Sequence, residues 1–186
     1  MKKMTVALVM LLIIPAFFAS CSQPHDVIPG YEGTRLNPDF ISDVNNVKAL
    51  LTAMATGDQA GMNIYLHEKF FVNGPAKDDY YNSQEFIDRS LYFAEWFDQA
   101  KLSGDIYYSF ICDEYEGRPE LIGKWVFTWG NFSFRYKASG KEIEHPYHYT
   151  FRIRDGKIDF MGRYYDRQDR SLQLGYTLLP PEPIEE

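Results

Sequence analysis

Apolar positions recur along this chain with two different periods, and the change from one to the other falls near residue 104. Val44, Val47, Leu50, Leu51 and Met54 repeat at three and four, the spacing that lines up one face of an α-helix. Ser42 or Asp43 is placed to cap its start and Gly57 to stop it. Asp58 then predicts a short second helix carrying Met62, Tyr65 and Leu66, and Lys69 to Asn73 reads as a short strand around Phe70, Phe71 and Val72. Asn82, with Glu85 three residues on, has the spacing of a capping box. The helix it opens presents Phe86, Ser90, Phe93, Ala94 and Phe97 on one face. Beyond Gly104 the period is two: Ile106, Tyr108, Phe110 and Cys112 alternate with Tyr107, Ser109, Ile111 and Asp113, and Trp125, Phe127 and Trp129 share a face. Gly130 predicts a bulge or bend in that strand.

Two turns organise the strand half. Ser139-Gly140 returns the Trp-rich strand onto the segment from Glu144 to Arg154, and Asp155-Gly156 is a two-residue turn of the type-I′ kind. Without a bulge the second turn sets Ile153 opposite Ile158, Phe151 opposite Phe160, Tyr149 opposite Gly162, Tyr147 opposite Tyr164 and His145 opposite Asp166. One face then grows more polar away from the turn, from Ile through Phe and Tyr to a His beside an Asp. Helices followed by an antiparallel meander predict an α+β domain with the helices laid across one face of a curved sheet.

The ends read differently. Lys2 and Lys3 precede a charge-free run from Met4 to Phe18, too short for a bilayer span, which needs about 20 residues, but right for the apolar part of a secretory signal. Phe18-Ala19-Ser20-Cys21 resembles the lipobox of bacterial lipoproteins. On that resemblance residues 1–20 are a signal peptide, and Cys21 is the acylated first residue that ties the mature chain to the lipid bilayer. The alternative is an uncleaved anchor in which Cys21 is incidental. Ser22 after the cysteine favours the outer membrane of the cell envelope, facing the periplasm, by resemblance to sorted lipoproteins. Residues 21–40, with Pro24, Pro29, Gly30, Gly33 and Pro38, read as a tether, and residues 177–186 as a Pro/Glu-rich tail, leaving a domain at 41–176.

Composition narrows the partners. Lys2 and Lys3 are the signal's only charges, so the mature chain carries 17 basic and 26 acidic residues, a net of −9. With no basic run longer than a pair, nucleic acid is not expected as a partner. Cys112 is the only other thiol, so no intramolecular disulfide is expected. The 14 Tyr and 14 Phe are many for one domain, and they promise either a filled core or a pocket walled by rings.

The order of one long helix ending at Gly57-Asp58, a short helix, the Phe70-Phe71-Val72 strand, a third helix and four strands resembles the nuclear transport factor 2-like superfamily. The run from Tyr149 to Ile158, followed by Tyr164-Tyr165-Asp166 and Leu172-Gln173-Leu174-Gly175, is similar to the end of its SnoaL-like, polyketide cyclase branch. The resemblance implies a cone-shaped half-barrel of sheet closed by about three N-terminal helices, a cavity for a small and mostly apolar molecule, and frequent homodimers through the convex face. It does not imply a reaction. In the cyclases that this tail resembles, an aspartate near the end of the last strand is a general base, and Asp166 occupies the matching position. His145 would hydrogen-bond it, with hydroxyls of Tyr147, Tyr149 and Tyr164 as oxyanion donors. Phe151, Trp125, Trp129 and Tyr108 are further candidates for the ligand wall. Trp96, Trp125 and Trp129 also fit a core or a dimer face, and Asp166 also fits an ordinary strand end.

Other chemistry is poorly supported. His145 and His148 fall on opposite faces of one strand, so no metal site is expected, and no Gly-rich phosphate loop calls for a nucleotide cofactor. Asp113 and Glu114 point to opposite faces and read as solvated. Three functions remain: a non-catalytic lipoprotein binding a small apolar ligand or an envelope partner, a cofactor-independent isomerase or cyclase with Asp166 as base, and an interaction module with a filled cavity.

Overall fold

In the computed structural model, which describes residues 33–179, the first long helix, α1 (Phe40–Thr56), begins two to three residues before its expected cap. It ends where Gly57 takes φ 70°, the left-handed conformation that glycine adopts without a Cβ clash. Asp58 accepts a hydrogen bond from Gly61 N and starts α2 (Gln59–Tyr65). Then come strands β2 (Leu66–Asn73) and β3 (Tyr80–Asn82), and α3 (Ser83–Trp96), opened by the reciprocal Asn82–Glu85 capping box. The meander is β4 (Phe97–Cys112), β5 (Gly123–Tyr136), β6 (Lys141–Arg154) and β7 (Lys157–Tyr165), followed by a short helix α4 (Arg167–Leu174).

With β1 (Thr34–Leu36) at one edge, the strands form one curved, seven-stranded sheet in the order β1-β4-β5-β6-β7-β2-β3, antiparallel except where β2 runs parallel to β7. Its concave face packs on the helices: Val47, Leu50, Leu51, Met62 and Phe86 meet Val126, Phe151, Ile158 and Met161, all essentially excluded from water. Burying each large apolar side chain contributes about 1.5–3 kcal/mol, so this seam is the main favourable term holding helices to sheet. The convex face carries a second aromatic layer in which Phe110, Phe127, Trp129 and His148 lie ring against ring.

Beyond the cap of α1, five expectations are corrected, the last of them the hairpin register. Strand β1 (Thr34–Leu36) lies within the segment read as a tether, pairing with Phe110–Cys112, so the folded part starts before residue 41. Strand β4 starts at Phe97, not after Gly104. Alternation is hidden there by register shifts near Gln99, which takes φ 54°, and at Gly104-Asp105. The second of these lies across from Gly130, so the irregularity signalled by that glycine sits on the neighbouring strand. The chain also leaves the sheet at Asp166, because α4 has both cap signals: Asp166 accepts from Asp169 N, and Gly175 closes the other end at φ 97°.

The fifth correction is one of register. The Asp155-Gly156 turn holds Ile153 opposite Ile158 as expected, but the ladder slips by one at Asp159, and Arg152 pairs with Phe160. Asp159 is the extra residue of a β-bulge. Its buried carboxylate accepts from Arg152 Nε at 2.9 Å and Nη2 at 3.0 Å and is ion-paired with Arg154 Nε at 2.9 Å. Since sheet side chains alternate faces, one inserted residue turns over everything beyond it. Phe151 therefore faces Met161 in the core, while Phe160 lies outside against Phe71 and Trp125. Tyr147 pairs with Tyr165, not Tyr164, and the expected facing of His145 and Asp166 does not occur. Cys21 and the signal lie outside the described residues; among those described, no helix is long and apolar enough to cross a membrane.

Candidate functional site

A cavity of about 290 Å³ opens at one end of the concave face. Alternation along β5 and β6 points Phe132, Phe134, His145 and Tyr149 into it; the shifted register of β7 adds Arg163 and Tyr165. Helix α3 contributes Ser90 and Phe93 from its apolar stripe with Arg89 and Tyr92 beside it, and α4 lays Arg167, Arg170 and Leu174 across the rim. That helix is held from both sides: the Gln173 amide accepts from Glu144 N at 3.0 Å and donates to Glu144 O at 2.7 Å, and Arg167 reaches Asp79 at 2.8 Å.

Most of the wall is aromatic and self-supporting. Phe93 stacks on Phe97 with centroids 4.7 Å apart and meets Phe134 edge-on at 5.1 Å, while His145 stacks on Tyr165 at 5.1 Å. Within this apolar wall several polar atoms have no partner. His145 is 1% exposed; its Nδ1 lies 3.1 Å from Pro146 O, which only accepts, so a neutral ring carries its proton on Nδ1 and turns a lone pair out at Nε2. That Nε2 is buried without a hydrogen bond, as is Arg163 Nε. Burial, reinforced by the charge of Arg170, pushes the His145 pKa below its usual value despite the bond to Pro146 O. Burial likewise drives the Tyr149 hydroxyl well above the ordinary phenol range. The site at neutral pH thus offers a neutral imidazole acceptor, a protonated phenol and guanidinium donors. Buried polar groups are nearly always satisfied in folded proteins, so a convergence of open ones in a cavity marks where a ligand's polar groups belong.

Of the residues named from the sequence, His145 and Tyr149 line the cavity. Tyr147 and Phe151 share their face but are packed below it. The Tyr147 hydroxyl donates to Asp105 Oδ1 at 2.8 Å across Gly130, where an added Cβ would stand 2.3 Å from that oxygen. Tyr107 reaches the same carboxylate at 3.4 Å, its pKa pushed up to about 12, first by burial. Trp125, Trp129, Tyr108 and Tyr164 are on the convex face, away from the cavity: Trp125 is buried under Arg152, and the others are exposed. Tyr164 is there because of the bulge at Asp159. Asp166 is an exposed helix cap; it acts on His145 through space, but no hydrogen bond joins them. Trp96 lines a neighbouring hollow of about 540 Å³ with Tyr136 and Tyr176. Sequence reasoning missed the arginines and Phe132 and Phe134; the alternation from Phe132 to Tyr136 and the cap pair around α4 are the signals that point to them.

A curved sheet closed by helices around a ring-walled cavity defines a cone-shaped α+β domain of the nuclear transport factor 2-like, SnoaL-like fold. Solved structures share it. A candidate polyketide cyclase from Xanthomonas campestris pv. campestris superposes with a TM-score of 0.58, covering 73% of this chain and 98% of its own at 16% identity. A nuclear transport factor 2-like protein from Burkholderia xenovorans gives 0.54, covering 72% and 96% at 16% identity. A Mycobacterium tuberculosis epoxide hydrolase of the LEH-like kind gives 0.53, covering 74% and 92% at 14% identity. No protein-family profile matches the sequence, and no curated protein does. Likeness at such identities establishes the fold and not the activity.

Proposed function

We propose that this chain is a cell-envelope lipoprotein whose domain binds a small, largely apolar organic molecule in the cavity under α4. The observation that carries the proposal is the ring-walled space of about 290 Å³ lined by His145 and Arg163, each of which has a buried polar atom without a partner. Its size is near the lower end of known small-molecule pockets, about 300 Å³, and its few convergent polar groups supply orientation. The anchoring half of the proposal rests on the Lys2-Lys3 start, the apolar run and Phe18-Ala19-Ser20-Cys21. Attachment to the outer membrane's periplasmic side and a homodimer through the exposed Tyr108, Trp129 and Tyr164 belong to the same reading.

Ser90 lines the cavity and spends its hydroxyl on Phe86 O of its own helix at 2.8 Å, so Ser90→Leu fills space without breaking a bond between elements. In a thermal-shift screen of small aromatic and alicyclic compounds, hits are expected to stabilise the wild type and lose their effect on Ser90→Leu. Compounds that shift both proteins alike would show that they bind elsewhere, and a screen without hits would count against the cavity.

A second reading, an enzyme doing acid-base chemistry, is favoured by one observation: His145 lines the cavity, and its Nε2 is a buried proton acceptor without a hydrogen-bond partner. It moves the base from Asp166 to His145. Turnover of any hit by the wild type, lowered about 10²- to 10⁴-fold in His145→Gln with binding retained, would establish it; turnover untouched by the substitution would remove it.

A further inference from the structure

The chain is acidic, with a net charge of −7, yet four of its nine arginines, Arg89, Arg163, Arg167 and Arg170, line this one cavity. The five elsewhere each have a carboxylate: Arg35 has Asp113, Arg118 has Glu120, Arg135 has Asp98, and Arg152 and Arg154 share Asp159. Inside the cavity only Arg167 is so matched, by Asp79. Arg89, Arg163 and Arg170 make no ion pair among the described residues. They lie over aromatic rings instead, Arg89 and Arg163 over Tyr81 at 4.7 and 5.3 Å and Arg170 over Tyr165 at 5.0 Å.

A ring face steadies a guanidinium but leaves its in-plane N–H groups unused, and those groups form the fork that matches a carboxylate. Arg163 Nε has no partner although it is buried, a cost a folded chain does not ordinarily carry without return. The nearby acids make their hydrogen bonds elsewhere and do not pair with these three arginines: Asp166 caps α4, Asp169 accepts from Gln173 at 2.6 Å, and Asp79 is engaged by Arg167. Asp79 is the one carboxylate lining the cavity beside four arginines among the described residues, and walls in which one sign of charge predominates favour the opposite sign in the ligand.

Building on the cavity reading above, we infer that the site selects organic anions: a flat apolar body seated among the rings, carrying one carboxylate-class group held by Arg163 and Arg170. Phe93, Phe134 and Tyr165 take the body, and Tyr149 and His145 Nε2 are left to read a further acceptor and a further donor.

The probes are 2-naphthoate and 2-naphthamide, which share size and shape and differ in charge. Titration calorimetry on the wild type is expected to show naphthoate binding at least about tenfold tighter, as a charge-assisted hydrogen bond gives, with the preference shrinking at high salt. Arg163→Gln and Arg170→Gln should each weaken naphthoate about tenfold and leave naphthamide unchanged, while Arg118→Gln, which does not line the cavity and is paired with Glu120, alters neither. Arg170 sits on a short surface helix, so its variant stays informative should Arg163→Gln fold poorly. Equal affinity for the two probes, or a preference insensitive to both cavity arginines, overturns the anion selection and leaves the cavity reading standing. If neither probe binds at millimolar concentration, both readings fall.

Discussion

His145 shows how much one side chain's surroundings decide. The sequence puts it near the end of a strand beside other polar residues, a position that reads as rim, and the fold buries it between Tyr165 and the edges of Phe132 and Phe134. Its folded pKa is lowered, chiefly by burial, while in the unfolded chain it returns to the ordinary histidine value of about 6.5. Below that value the unfolded state binds a proton that the folded state resists, so stability falls as pH is lowered through this window and is unaffected above it. His148, stacked on Trp129 with its own pKa lowered by burial, adds to the same trend. Urea unfolding at pH 7 and pH 5 is therefore expected to show a smaller acid loss for His145→Phe than for the wild type, carboxylate effects being common to both. An identical pH dependence would mean that the ring is solvated in the folded protein.

The hairpin of β6 and β7 carries the element that most changed the site. Its turn was legible, because Asp155 and Gly156 both need positive φ and take 50° and 72°. The bulge three residues later was not, since Ile158-Asp159-Phe160 alternates as a regular strand would. Arg152 and Arg154 project beside Asp159, and the three-charge cluster holds the extra residue in place. Removing the carboxylate strands a nearly buried Arg152, so Asp159→Ala is expected to destabilise the domain by about 3–5 kcal/mol, measured by urea unfolding with Asp159→Asn alongside. A loss below about 1 kcal/mol would mean that the cluster is exposed to solvent and that the bulge is held by packing alone. Without the bulge, Tyr164 would replace Tyr165 at the cavity and Arg163 would turn outward.

For the molecule as a whole, the lipobox reading ties a cavity protein to a surface and sets where its ligand is met. Cys21→Ser removes the thiol that takes the lipid. The variant is expected in the soluble fraction, or as an unprocessed precursor, while the wild type fractionates with membranes and incorporates labelled palmitate. A Cys21→Ser chain of mature length that still carries lipid and stays with membranes would end the lipoprotein proposal. The folded domain itself should be unchanged, because strand β1 starts at Thr34, well beyond the cysteine.

The local rules of the chain were enough for the first three helices, the caps at Asp58 and Asn82, the turn at Asp155-Gly156 and an α+β domain with helices on one face of a curved sheet, since period and capping depend on neighbours a few residues apart; the cone was implied by the family resemblance. They also placed His145, Tyr147, Tyr149 and Phe151 on one face. Which of these reach the cavity was decided between elements: an ion cluster slipped β7 by one residue, and α4 continued from Asp166 and brought Arg167 and Arg170 to the rim. A charge pairing across strands and the packing of a short helix involve contacts that spacing along the chain does not encode. The order of the main helices and strands was therefore readable from the sequence, whereas the register of β7 and the chemistry of the cavity were set by tertiary structure.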